Sequence, residues 1–234
     1  MKIGVFLINL DDREDRLESS TRQFQELKLP FTRVSAISAK SVEESVFLTK
    51  PVLACWKSHI KTYSMLIESD LDYALVFEDD FLIKKPKTFM RLLESLESEK
   101  HDLLQIGFLL PGLFTRFRWL FEELEKLIFF TLGYVFKSLR LVTFSKRLRI
   151  VEAKSLALKF TKSSFLPGTH AYLINRKMAL TLLSLDSPQL SADEFFISLS
   201  KMRSFRMTRY WCSLVAQSQS KPSIHDRFVL RGER

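Results

Sequence analysis

Tyr73-Ala74-Leu75-Val76-Phe77-Glu78-Asp79-Asp80 is the stretch that decides the fold of this chain. An apolar, strand-favouring run breaks off directly into three carboxylates. A strand buried on both faces reads as such a continuous run, and in open α/β sheets ligands bind outside the carboxyl ends of strands. Three adjacent acids repel one another unless a cation sits among them, and hard divalent ions take carboxylate oxygens together with substrate phosphates. The triplet therefore has two readings: a Mn2+ or Mg2+ site serving a nucleotide diphosphate, or an exposed acidic turn.

Upstream, residues 3–10 form a second β-rich apolar run. Asp11 and Asp12 follow, placed to cap a helix whose Leu17, Phe24 and Leu27 share one face. Pro30 ends that helix and residues 31–37 read as a short strand. Pro51 opens a longer helix in which Val52, Trp56, Ile60, Tyr63 and Ile67 recur every three or four residues. Downstream, the pattern predicts a helix near 89–96 and strands near 103–108 and 171–175. Helices over 177–185 and 193–202 and an extended segment over 209–216 follow. This alternation predicts α/β layers around a mostly parallel sheet. Residues 112–166 break the rhythm: 119–136 are rich in Phe, Leu and Ile, and 137–162 carry eight basic residues against one acidic.

With 46% apolar and 27% charged residues, the 234-residue chain is no disordered tail, collagen-like fibre or disulfide-stapled mini-protein. Six Gly and seven Pro argue against a turn-dense all-β architecture and against long flexible linkers. The net charge of +9 is unevenly spread: residues 1–111 carry 15 basic and 18 acidic side chains, and residues 112–234 carry 21 and 9. The second half is thus suited to an anionic partner, whether a phosphate-rich substrate, nucleic acid or a lipid surface. Cys55 and Cys212 make no disulfide framework, and neither shows a Cys or His partner at metal-ligand spacing. Together with acids directly after the first apolar run, this predicts a chain without a signal peptide, in a reducing cytoplasm.

Ile8-Asn9-Leu10-Asp11-Asp12-Arg13-Glu14-Asp15-Arg16 resembles the opening of glycosyltransferase family 25, the lipopolysaccharide and lipooligosaccharide sugar transferases related to collagen galactosyltransferases. Further blocks follow in the family's order: Ala54-Cys55-Trp56-Lys57-Ser58-His59, with Ala54 where the family has Gly, and then Leu75 to Asp80. Gly168-Thr169-His170-Ala171-Tyr172-Leu173-Ile174 and Asp193-Glu194-Phe195-Phe196 complete the set. A weaker tail match is Leu214-Val215-Ala216-Gln217 with Ser223-Ile224-His225, where the family often has Asp after the Ser. The resemblance implies a GT-A-like, Rossmann-type nucleotide-sugar domain spanning 1–234. Its parts are a nucleotide-sugar half (1–111), the aromatic and basic insertion (112–166) and an acceptor and catalytic half (167–234).

It also implies inverting transfer of a hexose, galactose or glucose, from a UDP-sugar to a lipopolysaccharide- or lipooligosaccharide-type acceptor. Departure of UDP develops charge on a phosphate oxygen, which a divalent Mn2+ or Mg2+ stabilises, while a base takes the acceptor proton. The metal falls to Asp80 and Glu78, in the strand that closes in the family's acids; His170 and His225 are candidates for a third ligand, neither at a diagnostic spacing. The donor falls to Asn9, Arg13, Arg16, Ser58, His59 and Asp79, and the catalytic base to Asp193 with Glu194 second. Each has a plainer reading from the residues alone. Asp193 suits a helix cap, Arg13 a surface ion pair, Arg16 a carboxylate clamp, His59 the core, and Cys55 a small buried side chain. Two other functions stay open: a metal-dependent nucleotidyl or phosphoryl transferase, for which no Gly-rich phosphate loop is visible, and a non-catalytic membrane or polyanion adaptor. No recognised nucleic-acid module is present.

The insertion has two readings, a packed subdomain or an interfacial segment. Trp119, Phe121, Phe129, Phe130 and Phe136 beside a basic block suit apolar side chains dipping among headgroups while Lys and Arg meet anionic lipid. That predicts reversible residence on the cytoplasmic face of the inner membrane, each basic side chain near the surface adding ~1 kcal/mol. Replacing Lys146, Arg147 and Arg149 by Gln is expected to release the protein from anionic liposomes in co-sedimentation at low salt, with transfer to a small soluble acceptor retained. Equal binding to anionic and neutral vesicles would make the stretch a solvated face.

Overall fold

The structure is a computed structural model that describes residues 1–43, 45, 47–96, 100–109, 142–145, 150–153, 165–185, 190–200, 204–210 and 213–218. Its first half follows the predicted alternation closely: β1 (Ile3–Asn9), α1 (Glu14–Glu26), β2 (Thr32–Ser35), α2 (Lys50–Glu68) and β3 (Tyr73–Glu78). Then come β4 (Phe81–Ile83), α3 (Pro86–Ser95) and β5 (Leu103–Gly107). A hairpin of β6 (Val142–Ser145) and β7 (Ile150–Ala153) is what the described residues include of the insertion's regular structure. The aromatic stretch and the basic triplet 146, 147 and 149 lie outside them. The second half adds β8 (Ala171–Asn175), α4 (Arg176–Leu183), α5 (Ala192–Leu199), β9 (Met207–Arg209) and β10 (Val215–Gln217). No helix among the described residues is long and apolar enough to cross a membrane.

The main sheet runs β2-β1-β3-β8-β5-β10-β4, with β9 also pairing β5. β1 is parallel to β2 and β3, and β5 is parallel to β9 and β10. β8 runs against both β3 and β5, and β4 against β10. The sheet is therefore mostly parallel, as predicted, with one reversed strand in its middle. That strand begins where β3 ends, since Ala171 pairs with Phe77.

The continuous apolar runs are explained by cores on both sheet faces. Leu75 and Phe77 of β3 pack with Phe24 of α1 and Phe89 and Leu92 of α3. Ala74 and Val76 face the other way, toward Trp56, Tyr63 and Leu66 of α2, Met178 of α4 and Phe196 of α5. Part of the chain's Phe content forms one knot: the rings of Phe24, Phe77 and Phe81 lie 4.7–5.2 Å apart, centroid to centroid. Beside it, α1 turns polar side chains onto the segment after β3. Gln23 donates to the Phe81 carbonyl (3.1 Å) and accepts from the Ile83 N–H (3.0 Å), and Ser20 donates to the Asp79 carbonyl (3.2 Å).

One local expectation fails. Asp11 and Asp12 do not cap α1, whose N-cap position is Arg13, without a side-chain cap. The Arg13 N–H closes a turn onto the Leu10 carbonyl, which carries the acids away from the helix end. Asp11 instead accepts from Arg33 (2.6 Å) and Ser35 (2.8 Å) at the end of β2.

The carboxyl end of α2 is closed from a distance. Arg176 donates to the carbonyls of Leu66 (2.8 Å), Ile67 (2.8 Å), Ser69 (2.9 Å) and Leu71 (3.2 Å). A cation there satisfies carbonyls that a helix end leaves orphaned and complements the helix dipole. Arg176→Ala is expected to cost about 2–4 kcal/mol, read as a lower midpoint in urea unfolding. Arg176→Lys should recover little of it, because an ammonium cannot span those carbonyls.

Candidate active site

The carboxyl ends of β1, β3 and β5 and the start of β8 meet at one end of the sheet, and the acidic triplet sits there. Its three carboxylates have different environments. Asp79 turns back into the protein: Arg16 donates to its Oδ1 (2.9 Å) and Asn9 to its Oδ2 (2.9 Å). Both side chains of the Arg16–Asp79 pair are buried. Asn9 in turn accepts from Arg33 (2.9 Å). Arg16 thus takes the carboxylate-holding role, and Asn9 and Asp79 belong to the same clamp. Nε and Nη2 of Arg16 remain buried without a hydrogen-bond partner.

Glu78 accepts from the Thr169 hydroxyl (2.5 Å), and its Oε1 lies 3.4 Å from His59 Nε2. Burial pushes its pKa up, but His59, Thr169 and His170 outweigh that and hold it down at about 2. Asp80 shows the opposite balance. Gln217 donates to its Oδ2 (2.7 Å) and Arg16 stands 3.8 Å away, while its buried Oδ1 has no partner. Burial, with the neighbouring charges of Glu78 and Asp79, raises its pKa to about 6 despite Gln217 and Arg16. A carboxylate in that condition is short of positive charge.

The remaining candidates divide. His59 is wholly buried on α2, its Nδ1 2.8 Å from the Tyr172 hydroxyl, which lies 2.7 Å from that of Tyr63. It is both a core histidine and a neighbour of Glu78. Ser58 accepts from the Ile37 N–H (2.8 Å) and donates to the Ala54 carbonyl (2.8 Å), fixing the segment after β2 to the helix. Arg13 makes a two-pronged pair with Asp15 (2.8 and 2.9 Å), the surface ion pair that the residues alone suggested. His170 lies against the Val215 carbonyl (3.1 Å), and burial lowers its pKa. Gly168 precedes it at φ +115°, and a Cβ there would sit 3.0 Å from the imidazole. His225 lies outside the described residues.

Asp193 and Glu194 stand in the first turn of α5. The helix is capped by Ser191, not by Asp193. Glu194 completes a capping box, accepting from the Ser191 N–H (3.3 Å) and hydroxyl (2.9 Å), whereas Asp193 accepts from Ser191 Oγ (2.6 Å). α5 packs on the elements that carry the site: Phe195 meets Trp56 and Phe196 meets Tyr172 edge to face.

Sequence reasoning missed Thr169, Gln217, Arg33 and Tyr172 as site neighbours. It also set Cys55 aside, yet Cys55, His59 and Glu78 present ligand atoms within 4.8 Å of one another. The missed signal was the four-residue spacing of Cys55 and His59 on one predicted helix, which puts both on the same face.

Residues 2–196 match the family described as Glycosyltransferase family 25 (LPS biosynthesis protein). The chain is 30% identical over 126 residues to procollagen galactosyltransferase 1-A of Xenopus laevis, covering 44% of this chain and 21% of that protein. It is 25% identical over 198 residues to procollagen galactosyltransferase 1 of Danio rerio, covering 70% and 30%. It thus spans less than a third of the length of these relatives. Among solved structures, that of A197 from STIV aligns over 92% of this chain and 83% of its own, at 14% identity and a TM-score of 0.39.

The opposed shifts of Glu78 and Asp80 give stability a worked pH dependence. Asp80 binds its proton more tightly folded (about 6) than unfolded (3.8), so its contribution falls as pH rises through that window. Glu78, lowered from 4.5 to about 2, contributes above 4.5 and is lost as pH falls below it. In metal-free buffer, thermal melts are expected to lose stability between about pH 4 and 6 on the Asp80 limb, and Asp80→Asn should flatten that limb while leaving the acid-side loss.

Proposed function

This chain belongs to glycosyltransferase family 25, and from that premise we propose that it moves a hexose from a UDP-sugar to a lipooligosaccharide-type acceptor at the cytoplasmic face of the inner membrane. One observation carries the reading: the buried, unpartnered Oδ1 of Asp80 beside Glu78 at the carboxyl end of β3. Anionic oxygens gathered where a sheet opens to ligand call for a cation, and a nucleotide diphosphate brings one.

Asp80 and Glu78 are the residues that would hold it, and their all-oxygen chemistry fits Mn2+ or Mg2+. When bound, such an ion supplies the positive charge that a departing diphosphate needs. The protein's own part is preorganisation. Asn9 and Arg16 pin Asp79, so the turn that carries Asp80 has its shape before substrate arrives. Thr169 and His59 keep Glu78 ionised. The tethers of Ser20 and Gln23 hold the turn against α1. His170, next to Thr169 at the start of β8, is the described candidate for a third ligand.

Inversion at the anomeric carbon needs a base opposite the leaving group. Glu194 is taken up by the helix cap, which leaves the role to Asp193, oriented by Ser191. The relatives' names supply the substrate class, galactosyl transfer to procollagen, and the family description supplies lipopolysaccharide biosynthesis. Hexosyl transfer is common to both.

A donor screen with purified protein is expected to show sugar transfer from one UDP-hexose with Mn2+. Asp80→Asn should abolish both turnover and Mn2+-dependent UDP binding in calorimetry, with the fold intact. Asp193→Asn should keep UDP binding and lower turnover by about 10²-fold or more. Full turnover in Asp80→Asn would remove the metal assignment, and nucleotide consumption without a glycosylated product would favour phosphoryl transfer instead.

A further inference from the structure

We propose that Cys55, His59 and Glu78 form a thiolate-bearing site for Zn2+, distinct from the position at Asp80 but sharing Glu78 with it. The helix supplies two of the ligands and the strand the third. Cys55 and His59 lie one turn apart on α2, Glu78 ends β3, and their ligand atoms fall within 4.8 Å of one another. That spacing is within a small side-chain adjustment of a common bond to Zn2+, whose distances run from about 2.0 Å to nitrogen or oxygen to about 2.3 Å to sulfur.

A second observation points to the same ligand. The His59 ring is wholly buried, yet its Nε2 has no hydrogen-bond partner and faces Glu78 Oε1 at 3.4 Å. The other ring nitrogen is held: Nδ1 lies 2.8 Å from the Tyr172 hydroxyl, itself 2.7 Å from that of Tyr63. Ligating histidines are oriented in this way, one nitrogen on an outer partner and the other on the metal. Cys55 and Glu78 are each only partly buried, which leaves the cluster a side open for entry.

The donor set decides the metal. Sulfur with imidazole and one carboxylate selects Zn2+ over Mn2+ or Mg2+, and three protein ligands leave a fourth position for water or a substrate oxygen. Binding converts the thiol to a thiolate and releases its proton to solvent. Because Glu78 serves both sites, Zn2+ draws it from the cation at Asp80 and opposes transfer. That antagonism rests on the proposed function, whereas the Zn2+ site itself does not.

The test uses the full chain. Titration against a chromophoric chelator should show Zn2+ binding that Cys55→Ser and His59→Gln weaken by more than the roughly 10–100-fold typical of losing an outer-shell partner. Substitution by Co2+ should give a thiolate-to-metal charge-transfer band that Cys55→Ser abolishes. Asp80→Asn should keep Zn2+ binding, so that loss of its UDP binding and loss of the Zn2+ site are told apart. A measurement on the unaltered protein covers the case of variants that do not fold: Zn2+ should protect Cys55 from alkylation, read by peptide mass with Cys212 as internal comparison. Alkylation of Cys55 at the same rate with and without Zn2+, or a Co2+ complex without the thiolate band, overturns the proposal.

Discussion

The buried pairing of Arg16 with Asp79, braced by Asn9, is the constraint on which this molecule turns. It joins the first turn of α1, the end of β1 and the segment after β3. A charged pair in such a place is expensive to desolvate, and removing either partner alone strands the other, at about 3–5 kcal/mol. Such a pair is weak support for stability in itself, and its value here is geometric. With Asp79 turned inward, the backbone of the turn is fixed, with Glu78 set against Thr169 and His59 and Asp80 against Gln217 on either side.

The triplet thus divides its labour by environment. The same functional group is structural at 79, strongly ionised at 78 and reluctant to ionise at 80, because the first meets a guanidinium, the second a hydroxyl and an imidazole, and the third is buried, with the charges of Glu78 and Asp79 near it. Of the three, Asp80 keeps one oxygen, Oδ1, buried without a hydrogen-bond partner.

Much of this was legible beforehand. Apolar runs at residues 3–10 and 73–77 announced strands buried on both faces, and the two cores account for them. The short β4 was not visible, because Phe81 to Ile83 has strand character only through pairing with β10, more than 130 residues on. The site was legible in its acids and much less so in its partners. Gln217 and Arg33 reach Asp80 and Asn9 through strand register, which no local pattern encodes. The capping box at Ser191 and Glu194 obeys a local rule and could have been read, which would have separated Glu194 from Asp193 at once.

The reversed β8 has a consequence for how the chain comes together in time. β3 and β5 are made early, but they are not neighbours: the strand that joins them is encoded after the whole of residues 112–166. Until it arrives, a growing chain holds two strands with unpaired edges facing an absent partner, the kind of edge that invites the wrong pairing. Closing that gap ties up a long loop before its contacts repay the entropy. Thr169 and His170 lead directly into that strand, and Gln217 follows only with β10, so no half-made chain can hold a finished site.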